Sequence, residues 1–183
     1  MTYVCLLRQE YEAPPCRLVP IRQGDLRAIM NWRNAQMDYL RQDMPLTDED
    51  QARYWNKLRA TFQEYQPDEI LFSFLEEEKC IGYGGLTRIA WSARNAEVSF
   101  LMDPEQPGYS KNFAIFLSLL KVVAFENLRF HRLYAETYDI RPEHVSVLEK
   151  NGFVLEGRMR EHALAGGKWV DALIHGCLHV VEE

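Results

Sequence analysis

The chain has 183 residues, 47% of them hydrophobic and 26% charged, a mix that belongs to folded globular proteins and excludes disordered, collagenous and coiled-coil chains. Its formal net charge of -6 excludes the broad basic face through which phosphate neutralisation drives nucleic-acid binding, so no nucleic-acid partner is expected. No run approaches about 18 uninterrupted apolar residues and no basic patch precedes an apolar stretch at the N-terminus, so membrane spanning and secretion are not signalled and the expected location is cytoplasmic.

Residues 1–15 carry a short apolar run, Tyr3 to Leu7, and two prolines, which reads as an extra edge strand or loose arm. A single domain is expected from residue 16 to 183, since a chain of this length buries enough apolar surface to stand alone. Cys16 to Ile21 reads as a strand, and Asp25 is placed to cap a helix carrying Leu26, Ile29, Met30 and Trp32 at helical spacing. After Pro45, the acidic run Asp48-Glu49-Asp50 marks another helix start, continuing through Tyr54, Trp55 and Leu58. Ile70 to Leu75 and Cys80 to Trp91 read as strands joined by the polar turn Glu76 to Lys79. Gly82, Gly84 and Gly85 indicate a bulge or a close approach in the second of these.

Ala96 to Met102 alternates as a half-buried strand should, with Glu97, Ser99 and Leu101 on one face and Val98, Phe100 and Met102 on the other. Asp103 to Gly108 breaks it. A helix with strong apolar period follows from Lys111 to Asn127. His131 to Tyr138 reads as a strand and His144 to Asn151 as a short helix closed by Gly152. A hairpin turning at Gly166-Gly167 ends the chain. A strand, a crossover helix and a second strand require some parallel pairing, so the sheet should be mixed. The cysteines Cys5, Cys16, Cys80 and Cys177 stand singly, signal neither a metal cage nor a redox pair, and read as free thiols.

This order resembles the GNAT acetyltransferase fold from about Arg17 onward. The residues that carry the likeness are Trp32-Arg33-Asn34, Ala96 to Phe100, Ala124 to Leu128 with His131-Arg132-Leu133, and Val147 to Phe153 followed by Glu156-Gly157. They are similar to the branch that acetylates protein N-termini and amino sugars. The resemblance implies an α/β (α+β) fold with a mixed, mostly antiparallel sheet of about seven strands and helices on both faces. It also implies a splay between the fourth and fifth strands, counting from Cys16.

In such enzymes the pantetheine arm of acetyl-CoA lies in the splay and its pyrophosphate meets the next helix start. That places Gly108, Tyr109, Ser110, Lys111, Asn112 and Phe113 at the cofactor, where free N–H groups and the helix dipole converge. The sequence departs from the family signature here. Glu105 stands at the usual Gln or Arg if Gly108 and Ser110 take the two small positions; the other register leaves no glycine. Arg141 and His144 fall on cofactor-contacting positions usually held by Asn and Ser. Leu148 replaces the tyrosine that often acts as general acid.

An ammonium acceptor must lose a proton before it attacks, so a nearby base is needed. The resemblance points to Glu97 in that role and to the backbone of Leu101 or Met102 as oxyanion donor. Tyr138 is a candidate proton donor. Trp32, Arg33, Asn34, Arg41 and Glu136 are candidates for the acceptor side, the arginines for a phosphate or carboxylate. Acetyl-CoA is the expected co-substrate, with no metal. The acceptor is a primary amine: an amino sugar, nucleotide-linked or free, or a protein N-terminus. A non-catalytic acyl-CoA sensor is the alternative of another class, and a homodimer is left open.

Overall fold

The alternation through Ala96–Met102 builds strand β5 (Asn95–Met102), one of eight among the described residues in a sheet ordered β1-β2-β3-β4-β5-β6-β8-β7. The computed structural model describes residues 1–180. The other strands are β1 (Tyr11–Ala13), β2 (Cys16–Pro20), β3 (Ile70–Glu76), β4 (Lys79–Ala90), β6 (Arg132–Tyr138), β7 (Val154–Ala165) and β8 (Lys168–Leu178). Every neighbouring pair is antiparallel except β5 with β6. The expected mixed sheet is therefore present with one strand more than expected, because the N-terminal segment contributes β1.

That segment is no loose arm. The Tyr3 ring is buried and stacks on Phe62 at 4.3 Å. Its hydroxyl accepts from the Leu71 N–H at 2.9 Å and donates to the Leu71 carbonyl at 3.1 Å. Both polar groups of one backbone residue are thus satisfied from a segment almost seventy positions away.

Among the described residues four α-helices accompany the sheet: α1 (Leu26–Ala35), α2 (Asp48–Thr61), α3 (Tyr109–Lys121) and α4 (Pro142–Lys150). α2 starts with a capping box in which Thr47 and Asp50 satisfy each other's backbone N–H. α1 has no side-chain cap: the Asp25 carboxylate is turned away to accept from Arg22 at 2.7 Å and from the Ser73 hydroxyl at 2.6 Å. α3 runs on as a π-helical turn through Val122–Asn127, and Gly152, at φ +81°, ends α4 as expected.

The two faces of β5 receive different helices. Phe100 packs on Phe113 and Phe116 of α3 at 4.7 and 4.5 Å. The opposite face, which carries Glu97, Ser99 and Leu101, looks toward α1, whose Arg33 donates to the Tyr83 hydroxyl at 2.7 Å across from Leu101. β4 approaches β5 so closely that a Cβ on Gly84 would lie 2.0 Å from the Ser99 carbonyl oxygen, which is the close approach the glycine run indicated.

Candidate active site

β5 and β6 pair only at Asn95–Arg132, Ala96–Leu133 and Glu97–Tyr134, although β5 continues to Met102 and β6 to Tyr138. Beyond Glu97 they part. Each keeps its outer partner along its length, β4 on one side and β8 on the other, so the inner edges are left facing one another without ladder bonds. The expected splay is therefore a feature of the fold.

Register decides which backbone groups line it. The Asp103 N–H donates to the Ile81 carbonyl, and the Ser99 and Leu101 carbonyl oxygens point at Gly84 and Gly82 of β4. Alternation then turns Val98, Phe100 and Met102 toward the splay. Of the two expected oxyanion donors, Met102 faces the cleft and Leu101 does not. The Met102 carbonyl accepts from Gln36 Nε2 at 2.9 Å, while the N–H groups of Phe100 and Met102 point into the opening.

At the far end of the splay Gly108 enters α3 with φ +78°, a conformation that favours glycine. The first N–H to return to the chain is that of Asn112, on the Gly108 carbonyl at 2.9 Å; the amides of Tyr109, Ser110 and Lys111 have no intrahelical acceptor. Asn112 and Phe113 serve the fold instead. The Asn112 side chain is buried and donates to the Pro107 carbonyl, and Phe113 sits in the core. Ser110 Oγ donates to the Glu143 carboxylate at 2.5 Å.

Arg141 and His144 come together on Tyr109. The phenol oxygen accepts from Arg141 Nη2 at 2.9 Å and lies 2.6 Å from His144 Nδ1. Burial pushes this phenol up to about 12 against the pull of Arg141, so it keeps its proton. Burial first, then the charge of Arg141, hold His144 well below the usual imidazole range. A neutral ring accepting at Nδ1 carries its proton on Nε2. His144 also stacks on Phe113 at 4.3 Å.

Of the acceptor-side candidates, Arg41 and Glu136 come together at Glu97. This buried carboxylate receives Arg41 Nη2 at 2.7 Å, with Arg88 Nε 3.3 Å from its second oxygen. The same Arg41 nitrogen lies 2.9 Å from Glu136, and His162 Nε2 stands 3.6 Å away on that carboxylate. Burial works against the charge of Arg41, but the hydrogen bond and charge of Glu97, joined by Glu136, outweigh it and hold the guanidinium above its ordinary range. Arg88 was not singled out by sequence. It sits at φ +48° in the irregular stretch of β4 between Thr87 and Ala90, and this kink aims it at Glu97.

Around these groups lies a cavity of about 310 Å³, walled by Arg33, Arg41, Arg88, Glu97, Glu136, Thr137 and Tyr138 among others. Tyr39, Arg141 and His144 are shared with a second cavity of about 540 Å³, which runs from Gln36 and Met102 to Glu143. The Tyr138 phenol is raised by burial against the pull of Arg41. The Thr137 hydroxyl is buried without a hydrogen-bond partner. Trp32 is a core residue, and Asn34 pins the loop before α2 by accepting from the Leu46 N–H and donating to the Leu46 carbonyl.

A mixed sheet opened between two parallel neighbours, with unpaired amides at the next helix start, defines the class of transferases that draw an acyl-CoA arm through a sheet. A family described as "Acetyltransferase (GNAT) domain" matches residues 18–174, and the chain belongs to that family. It is an N-acetyltransferase that uses acetyl-CoA. Among solved structures, spermidine N-acetyltransferase from Vibrio cholerae in complex with CoA and spermine is 25% identical, with 91% of this chain and 96% of that one covered and a TM-score of 0.81. A dodecameric structure of spermidine N-acetyltransferase from the same organism, in an intermediate state, matches at 24% identity, 91% and 95% coverage and a TM-score of 0.76.

The residues present fit acetyl-CoA. The inner edge of β5 has unpaired N–H groups for amide carbonyls, the Thr137 hydroxyl lacks a partner, and the α3 amides offer an anion site. Among the described residues no cluster of three or more His, Cys, Asp or Glu is placed to hold a metal, and no helix is long and apolar enough to cross a membrane. The four cysteines are unpaired thiols, two of them buried.

Proposed function

We propose that the enzyme acetylates the primary amine of a compact acceptor that also bears negative charge, as a nucleotide-linked amino sugar does. The observation that carries this reading is the charge of the acceptor cavity: Arg33, Arg41, Arg88 and Arg141 against Glu97 and Glu136. Two carboxylates suit an ammonium, and the surplus guanidinium charge suits a phosphate or carboxylate on the same molecule. Tyr39 and Tyr138 supply flat apolar walls of the kind a sugar or base requires.

Acetyl-CoA, when bound, supplies an acetyl group activated as a thioester. Residues of the splay would hold it: the inner N–H groups of Phe100 and Met102, the Thr137 hydroxyl and the first-turn amides Tyr109 to Lys111. Glu97 takes the proton that the acceptor's ammonium must lose, at Oε1 or Oε2. Tyr138, whose phenol stays protonated in the same cavity, is positioned to hand a proton on. Leu148 is fully buried, so the family's usual tyrosine position has become core and Tyr138 is the replacement assigned here. The unpaired thiols and the use of acetyl-CoA fit a reducing cytoplasm.

Thiol release from acetyl-CoA, measured over a panel of amino sugars, amino-sugar nucleotides, polyamines and short peptides, tests the reading. The highest kcat/KM is expected on an amine carrying phosphate. A second reading, transfer to a polyamine, is favoured by the likeness to the Vibrio cholerae spermidine enzyme, and preference for spermidine in that panel would establish it.

A further inference from the structure

Glu97 and Glu136 form a cation site that the chain fills by itself. One nitrogen, Arg41 Nη2, lies 2.7 Å from Glu97 and 2.9 Å from Glu136, and the same guanidinium reaches the second oxygen of each carboxylate at 3.4 and 3.3 Å. The partners differ in freedom. The carboxylate side chains are 7% and 10% exposed, whereas that of Arg41 is 41% exposed, so the acids are fixed in the wall and the guanidinium reaches them from the solvent side.

The loop that carries Arg41 is held on both flanks. Asp38 accepts from the Gly166 N–H at 3.0 Å, Gln42 donates to Asn34 at 2.9 Å and accepts from Arg33 Nε at 3.0 Å, and Asn34 fixes Leu46. Movement at this point is therefore movement of the Arg41 side chain. An acceptor amine that approaches Glu97 meets the guanidinium in the place its own proton-bearing nitrogen would take.

We propose that Arg41 sets the charge of the acceptor, giving up its place between Glu97 and Glu136 only to an amine whose own molecule brings an anion for the displaced guanidinium. Withdrawing Arg41 from two nearly buried carboxylates without a replacement leaves Glu97 with Arg88 alone and Glu136 with only His162 nearby, and takes the guanidinium from both of its anionic partners. An incoming ammonium repairs the carboxylates, and an anion on the same molecule repairs the arginine, with Arg88 beside it as a second donor fork. A polycation repairs only the first and adds repulsion against Arg33, Arg41 and Arg88. This inference rests on the anionic-acceptor reading and names the residue responsible for it.

Titration calorimetry on the CoA-loaded enzyme, with glucosamine 1-phosphate as anionic amine and spermidine as polycation, gives the ratio of the two Kd values without requiring turnover. The wild type should favour the sugar phosphate. Arg41→Gln should shift the ratio toward spermidine by about tenfold or more, with Arg41→Lys between the two, because an ammonium cannot span both carboxylates as the planar fork does. A wild type that favours the sugar phosphate while Arg41→Gln leaves the ratio unchanged overturns the role of Arg41 and spares the acceptor class. If Arg41→Gln does not fold, an Arg41→Lys ratio equal to wild type decides against the inference in the same way. A wild type that binds spermidine more tightly, or neither amine, overturns the anionic-acceptor reading itself.

Discussion

The phenol oxygen of Tyr109, in the first turn of α3, lies 2.6 Å from Nδ1 of His144 near the start of α4, so one hydroxyl ties together the two helix starts that flank the splay. Arg141 donates to the same oxygen at 2.9 Å, and Ser110 with Glu143 forms a second tie beside it. The amides assigned to the cofactor's pyrophosphate belong to the turn that this network steadies. Tyr109→Phe keeps the ring and removes the oxygen. The expected loss of stability is about 1 kcal/mol, the usual worth of such a bond. If the tie also orients the amides, the Kd for acetyl-CoA should rise by about tenfold, a cost of about 1.4 kcal/mol in binding. Chemical denaturation and calorimetry measure the two separately, and an unchanged Kd restricts the tie to folding.

His144 should leave a mark on the pH dependence of stability. Its ring is held neutral in the fold, first by burial and then by Arg141 and His175, while Tyr109 and Phe113 pack against it from α3. The unfolded chain takes up a proton near pH 6.5 and the native ring does not. Below that pH the unfolded state therefore binds more protons, and stability falls as pH falls, by up to about 1.4 kcal/mol per pH unit from this one group. Above about pH 6.5 the group contributes no slope. His144→Gln should flatten the acid side of the curve between about pH 6.5 and 5 relative to wild type. Denaturation midpoints across that range provide the measurement.

Tyr3 offers a test of how far the N-terminal segment belongs to the core. Its hydroxyl serves both polar groups of Leu71, itself buried in β3. Tyr3→Phe retains the stacking on Phe62 but strands the buried Leu71 N–H, while the Leu71 carbonyl keeps the Ile21 N–H at 3.0 Å, for an expected cost of about 1–3 kcal/mol. Burial also holds the Tyr3 phenol far above its ordinary range, so it stays protonated at any pH used for the assay. Urea denaturation should show a lower midpoint at unchanged slope.

Local pattern made much of the fold legible. The alternation of Ala96–Met102 located β5, the glycines of β4 indicated a close approach, and the resemblance to the GNAT family implied the splay between β5 and β6. Residues 1–15 were harder, because Tyr3 is fixed by partners near positions 62 and 71 that no local period reveals. The site divided along the same line. Glu97 and Arg41 were candidates through the resemblance to the family, and Glu136 through its place on the strand after the splay. Their convergence on one nitrogen was not legible, since it depends on a loop folding back over two separate strands. Arg88 gave no signal, because its direction comes from a positive φ in an irregular stretch of β4 rather than from its neighbours in sequence. The parity that turns Met102 to the cleft and Leu101 away from it follows from the β4–β5 register, which a single strand does not carry.

Glu97 is the residue on which the proposed chemistry turns, and its surroundings shape the test. The carboxylate lies on the last residue of β5 that pairs with β6, so its side chain stands where the two strands begin to part. It is buried, and both oxygens face guanidinium groups from Arg41 and Arg88. Glu97→Gln preserves shape and can still accept from the arginines, but an amide cannot take a proton. Where most of the acceptor is ammonium, the reaction depends on a group that removes the proton; at high pH, where free amine is abundant, it does so less. The variant should therefore lose turnover chiefly toward low pH, by about 10²-fold or more, and recover part of it as pH rises. The Kd for acetyl-CoA should stay near wild type, since the residues assigned to the cofactor lie further along the splay. A kcat profile that falls by the same factor at every pH would assign Glu97 to holding Arg41 in place, and a profile identical to wild type would remove it from the chemistry.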